Sequence, residues 1–237
     1  MIGIICAMQI EADGIIARSE QANAEEIAGM KFISAKLCGK DIVIVVCGVG
    51  KVNAAMCAAT LIQRYSPDVV INSGVAGSLS PIVSIGDIVI ATKSLEHDMN
   101  TTALGDKQGE VSFSNGKVTY FECDKEASTR LASVCKKIPD TKVAQGIIAS
   151  GDIFVSDRRK RLRINDQFGA LACEMEGAAI GHVCYCFGVP YGIIRAISDD
   201  LDENKGMDFV KFCELASKKT VYAVTEFVKE FLSLIHI

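Results

Sequence analysis

The sequence predicts an α/β fold: a single domain over residues 1–237, with a central mixed, mostly parallel twisted β-sheet flanked by helices in three layers. Three observations carry that reading. Apolar runs of strand length alternate with helix-period segments along the whole chain. Those runs are continuously apolar, as strands covered on both faces are, and lack the strict in/out alternation of a half-exposed sheet. No linker, repeat or low-complexity stretch divides the chain, and with 49% hydrophobic residues it can fill one large core.

Each element follows from local pattern. Residues 2–8 form an apolar run that reads as a buried strand, and the Ala-containing stretch to about Gln21 reads as its helix. Residues 30–37 and 42–46 are two strands joined by the turn Cys38-Gly39-Lys40-Asp41, hence a hairpin. Val52, Ala55, Met56, Ala59 and Ile62 keep helical spacing until Ser66-Pro67 stops them. Residues 68–72 form a strand entering an expected glycine turn, Gly74-Val75-Ala76-Gly77, and residues 85–92 form another. Residues 96–120 are polar and aperiodic, an irregular excursion of the kind that often serves function. Helices at 125–137, 157–168 and 175–187 then alternate with strands at 143–149 and 191–197. Phe209, Phe212, Ala216, Ala223, Phe227, Val228 and Phe231 trace the apolar side of a long last helix.

Composition narrows the function. With 29 acidic and 25 basic residues, net charge −4, nothing favours a nucleic acid or an anionic membrane as partner. No apolar stretch approaches the ~20 residues of a membrane-spanning helix, and the N-terminus lacks the basic region of a signal peptide, so a soluble, cytoplasmic protein is expected. The ten cysteines are scattered with no C-x-x-C pair, which suits small core residues better than a metal site. Cys184 and Cys186, two apart on a helix, point to different sides.

Some motifs mislead. Gly48-Val49-Gly50-Lys51-Val52-Asn53 resembles a dinucleotide fingerprint, yet its third glycine is Asn53 and it follows the wrong strand. As a phosphate-binding loop it fails too, having Val45 for the leading glycine and Val52 for the Ser/Thr. A glycine turn capping a helix start explains it better. The basic run Arg158-Arg159-Lys160-Arg161-Leu162-Arg163 has no interleaved aromatics and reads as a solvated helix face. His182 and His236 do not look like catalytic bases, and His97, beside Asp98, stands as a loop or pocket candidate.

Ligands of open α/β sheets sit where loops leave the carboxyl ends of strands. Acids collect there: Glu11 after the first strand, Glu174 and Glu176 before a helix, and Asp199 at the end of Arg195-Ala196-Ile197-Ser198-Asp199. Singly, each suits a helix start or a turn. Together they suit cleavage of a glycosidic bond, where one acid protonates the leaving group, another prepares water, and carboxylates stabilise positive charge at the anomeric carbon. Such a site needs neither metal nor cofactor, and a carboxylate can accept both hydroxyls of a ribose.

These residues stand in seven blocks that resemble the 5'-methylthioadenosine/S-adenosylhomocysteine nucleosidases of the purine nucleoside phosphorylase superfamily. The blocks are Gly3-Ile4-Ile5 with Ala7-Met8 and Glu11; Gly48 to Ala55; Asp68 to Gly74 with Ala76-Gly77; Gly86-Asp87-Ile88-Val89; Ser150-Gly151-Asp152 with Phe154; Glu174 to Ile180; and Arg195 to Asp199. The resemblance implies Glu11 as general base and Asp199 as the acid that protonates adenine N7. It implies that Glu176 holds the ribose hydroxyls over Met175, with Glu174 and Ser198 beside them. Phe154 would stack on adenine, the Val155 backbone would bond its Watson–Crick edge, and Ala76-Gly77 would floor the site. Met8, Val49 and Phe209 would form the pocket for the 5'-alkylthio group, completed in a homodimer by Leu104 of the neighbouring subunit.

Two departures are visible, Val75 where many members carry Ser and Leu104 where an aromatic is common. The superfamily's phosphorylases carry an Arg in the loop after the first strand, whereas here that loop is Ala7-Met8-Gln9-Ile10-Glu11, with no cation beside Glu11, so water is the expected nucleophile. Nucleosidases for aminodeoxyfutalosine or 5'-deoxyadenosine, a phosphorylase, and a non-catalytic nucleoside binder are the alternatives the resemblance leaves.

Overall fold

A computed structural model describes residues 1–199, 201 and 209–231. The chain opens with β1 (Ile2–Cys6), α1 (Gln9–Ile16), β2 (Glu20–Ile27), β3 (Met30–Leu37), β4 (Lys40–Val46), α2 (Lys51–Tyr65) and β5 (Val69–Ser78). It continues with β6 (Ile88–Glu96), a 3-10 turn (Thr102–Leu104), β7 (Val111–Phe113), β8 (Gly116–Val118), β9 (Phe121–Glu122) and α3 (Lys125–Cys135). The last elements are β10 (Val143–Ser150), α4 (Arg158–Phe168), β11 (Ala170–Glu174), α5 (Gly177–Phe187), β12 (Tyr191–Asp199) and α6 (Phe209–Glu230).

The expected mixed sheet is present, in the order β11-β10-β6-β12-β5-β1-β4-β3-β2, with β9 added to β6. Pairings of β1 with β4 and β5, of β12 with β5, and of β10 with β6 and β11 are parallel; β12 runs antiparallel to β6. An antiparallel contact of β11 with β5 closes five strands into a ring whose rim carries the site. β1 is buried along its whole length: Ile2 and Ile4 meet the core under α1, α3 and α6, and Ile5 meets the core under α2 and α5. That double covering is why the strands read as unbroken apolar runs.

Three local expectations change. The helix expected to reach Gln21 ends at Ile16, and Glu20–Ile27 forms an edge strand instead. That strand is polar and mostly exposed, so no burial pattern marked it; its register comes from a tight turn to β3 in which Ala28 and Gly29 both take positive φ (52° and 75°). The supposed glycine turn is the second half of β5, which runs straight through Gly74 and Gly77. Those glycines give clearance: a Cβ on Gly74 would stand 2.6 Å from Glu11 Oε1, and one on Gly77 would stand 2.9 Å from Asp199 Oδ2. The excursion at 96–120 holds the 3-10 turn and the β7–β8 hairpin.

The cysteines are all free, and most are buried as expected, although Cys38 and Cys186 are exposed. Among the described residues no helix is long and apolar enough to cross a membrane.

Candidate active site

Glu11 lies in the first turn of α1 and is buried at 2% exposure. Its Oε2 accepts the backbone N–H groups of Ala7 (2.9 Å) and Met8 (3.0 Å), and its Oε1 that of Val75 (3.1 Å). The peptide of Val75 thus reaches Glu11 although its side chain has no hydroxyl. Burial raises the Glu11 pKa above the ordinary carboxylate value, against the opposing pull of Arg195 and the three N–H donors.

Arg195, fully buried in the middle of β12, organises the acids from below. Its guanidinium pairs with Glu174 and stands 3.8 Å from Glu176 Oε2. Glu174 also accepts from Ser150 Oγ and from the N–H groups of Glu176 (3.0 Å) and Gly177 (2.8 Å). Four donors thus occupy about four lone-pair positions of this carboxylate, which lines the cleft. Burial would raise the Glu174 pKa, but Arg195 and those hydrogen bonds outweigh it and hold the group low. Glu176 has the opposite fate: burial first, then the charge of Glu174, push its pKa up to about 8. Its Oε1 accepts the N–H of Gly50 at 2.9 Å. The misleading glycine motif is therefore the cap of α2, as expected, and also a wall fitting of this site.

Asp199 ends β12, with Oδ1 accepting from Ser198 Oγ at 2.9 Å and Oδ2 from Arg161. Arg161 was expected on a solvated face; it is buried at 5% exposure and its Nε donates to the Val155 carbonyl at 2.7 Å. The signal was in the helix period: Arg161, Ile164 and Phe168 form one i, i+3, i+7 stripe, and the latter two pack into a core cluster.

One cleft gathers these groups. Of the residues expected in the site, Met8, Glu11, Val49, Ala76, Gly77, Phe154, Val155, Glu174, Met175, Glu176, Ser198 and Asp199 line it. The sequence reading missed Arg161 and Cys173 and gave no individual role to Ala7, Val75 and Ile153, which lie in segments it read as strand-end loops where ligands are expected; all five line it as well. Leu104 is 82% exposed and outside the cleft of its own chain. Phe209 opens α6, but its side chain lies outside the described residues. His97 is buried outside the cleft, against Gly151, and His182 pairs with Glu96 at 2.9 Å. Among the described residues no cluster of His, Cys, Asp or Glu is arranged to hold a metal.

The absence of a cation beside Glu11 holds for the loop and fails for the fold, because Arg195 comes within reach of it across β5. Yet Arg195 is 1% exposed and committed to acids, and it does not line the cleft.

The chain as a whole resembles known proteins along nearly its full length. The phosphorylase superfamily model matches residues 1–229. A 5'-methylthioadenosine/S-adenosylhomocysteine nucleosidase of Exiguobacterium sp. is 39% identical over 95% of this chain and 97% of its own. The chain belongs to this nucleosidase family. Its Shewanella halifaxensis counterpart is 34% identical over 97% and 99% of the two chains. The nucleosidase of Neisseria meningitidis, solved in complex with methylthio-immucillin-A, superposes with TM-score 0.90 at 32% identity over 97% and 99%. A futalosine hydrolase of Helicobacter pylori superposes equally well, with TM-score 0.90 at 29% identity over 97% of both chains. The protein is thus an N-glycosyl hydrolase of the phosphorylase fold.

Proposed function

We propose that this nucleosidase hydrolyses the N-glycosidic bond of 5'-methylthioadenosine and S-adenosylhomocysteine, releasing adenine and the 5-thioribose product. The observation that supports it most is Glu11: a buried carboxylate with raised pKa, pinned at the cleft by three N–H groups. A general base works best when its pKa approaches the operating pH. In this reading Glu11 takes a proton from water as it attacks the anomeric carbon, and Asp199 delivers one to N7 as adenine leaves. Glu176, over Met175, accepts the ribose hydroxyls, and Ser198 steadies Asp199 through the 2.9 Å bond. Phe154 stacks on the base, the Val155 backbone bonds its edge, Ala76 and Gly77 form the floor, and Met8 and Val49 enclose the 5'-substituent.

Hydrolysis is favoured over phosphorolysis because Glu11 repels an anionic nucleophile at short range, and Arg195 is buried and already matched by acids. Adenine release should proceed without phosphate; a rate strictly proportional to phosphate concentration refutes the reading. Glu11→Gln and Asp199→Asn should each lower the rate by about 10² to 10⁴. Near-native turnover in either variant refutes that residue's role, and silence of the parent chain on every adenine riboside would leave a nucleoside-binding protein.

The likeness to the futalosine hydrolase favours one second substrate, aminodeoxyfutalosine, which shares adenine and ribose. A panel of these ribosides, with adenosine and 5'-deoxyadenosine, ranks them by kcat/KM. We also place the enzyme in the cytoplasm, as one domain acting in methionine salvage as a homodimer. Leu104, exposed in one chain, would complete the 5'-substituent pocket of its partner. Leu104→Asp should then raise KM for methylthioadenosine and weaken the dimer by sedimentation, while unaltered values would refute that contact.

A further inference from the structure

Arg161 is a costly residue to place where it stands. A guanidinium at 5% exposure loses its hydration, and an ion pair in that setting often stabilises a fold no better than an apolar side chain of the same size. The stripe it shares with Ile164 and Phe168 would accept Leu or Met for packing alone. What an apolar residue could not do is join two separate pieces of the cleft. Nε donates to the Val155 carbonyl at 2.7 Å while Nη2 donates to the Asp199 carboxylate. Val155 lies in the segment before α4 and Asp199 at the end of β12, and both line the cleft. A planar fork with donors in fixed directions sets the separation and tilt of two acceptors at once, which the single point charge of a lysine does not. Each acceptor keeps lone-pair capacity for a second partner.

We propose that Arg161 is a positioning residue for departure of the base: it ties the Val155 carbonyl to the Asp199 carboxylate, so that the groups meeting the base edge and N7 are held as one rigid unit. The proposal rests on the reading of Asp199 as the proton donor. No covalent step passes through Arg161; its effect is confined to steps in which the leaving group must be gripped and protonated.

The test compares two leaving groups on the same sugar. Methylthioadenosine needs a proton at the base, whereas the 4-nitrophenyl 5-methylthioriboside expels a stabilised phenolate that needs none. Arg161→Met should lower kcat/KM for methylthioadenosine by about 10², the scale of an ångström of misplacement, and change the nitrophenyl riboside by no more than about threefold. Arg161→Lys keeps the charge without the fork and should show the same selective loss, at least about tenfold; it supplies the answer if the Met variant does not fold. Equal losses on both substrates, the mark of a merely structural arginine, overturn the proposal, as does native activity on both. Asp199→Asn is measured beside them. If it keeps the native rate on methylthioadenosine, the reading of Asp199 fails; if it is impaired while both Arg161 variants are native, only the role of Arg161 fails.

Discussion

Glu176 makes the folded protein bind a proton that the unfolded chain releases. In the folded state its pKa stands at about 8, against an ordinary value of 4.5, because burial and the adjacent charge of Glu174 oppose ionisation more than Arg195 and the Gly50 N–H favour it. A raised carboxylate contributes stability that is fully present below the unfolded pKa and is lost as pH rises through the folded one. Between those two values the native state holds one more proton than the unfolded state, so this group alone makes stability fall by about 1.4 kcal/mol per pH unit. Glu176→Gln keeps the shape and abolishes the titration. Other groups, including Glu11 and His97, add their own slopes to both proteins. The difference between variant and parent isolates Glu176: from about pH 5 to about pH 7.5, the variant's stability should gain about 3 kcal/mol relative to the parent. Urea unfolding at four or five pH values, with equal m-values in both proteins, measures it. Parallel pH profiles would show that Glu176 ionises as an ordinary carboxylate and would refute the argument from burial and the Glu174 charge.

Further outcomes follow from the same geometry. Gly74→Ala places a methyl against Arg195 Nη1 and 2.6 Å from Glu11 Oε1, both buried, so it should destabilise by about 1–3 kcal/mol and displace Glu11. Its adenine-release rate should fall by about 10²; a variant with native melting and native rate would contradict that crowding. Phe154→Ala removes an exposed ring from the cleft wall and should raise KM for adenine ribosides by about 10- to 100-fold, the scale of base–aromatic stacking, with kcat changed less. Tyr191→Phe deletes a buried hydroxyl that donates to the Phe121 carbonyl at 2.7 Å and contacts Ser94 at 3.0 Å. It should cost about 1–3 kcal/mol in denaturant unfolding while leaving KM unaltered, and a KM change would tie that distant bond to the cleft.

How much of the molecule was legible depended on whether a residue's role is local. β1, α2, α3 and β12 could be read because burial on both sheet faces, or one helix stripe, imprints a period on neighbouring residues. β2 left no imprint, since an exposed edge strand of polar residues owes its form to pairing with β3. Gly74 and Gly77 show the same limit from the other side. Within the sequence they look like a turn, and only the approach of Glu11 and Asp199 from other elements reveals them as clearance.

The site divides in the same way. From the sequence came the α/β class, the position of Glu11, Glu176 and Asp199 at strand ends, and the absence of a phosphate-binding cation in the first loop, all of which are carried by residues close together in the chain. Tertiary structure alone decided how those acids differ. Glu174 and Glu176 are two residues apart, yet one is saturated by Arg195 and Ser150 and held low, while the other, 3.8 Å from Arg195, is pushed up to about 8 by burial and the charge of Glu174. Likewise Arg161 left the solvated face its neighbours suggested and became the link between Val155 and Asp199. The reason is physical: chain neighbours fix a residue's backbone and periodicity, but its charge state and hydrogen-bond partners depend on burial and on groups that only folding brings within a few ångströms.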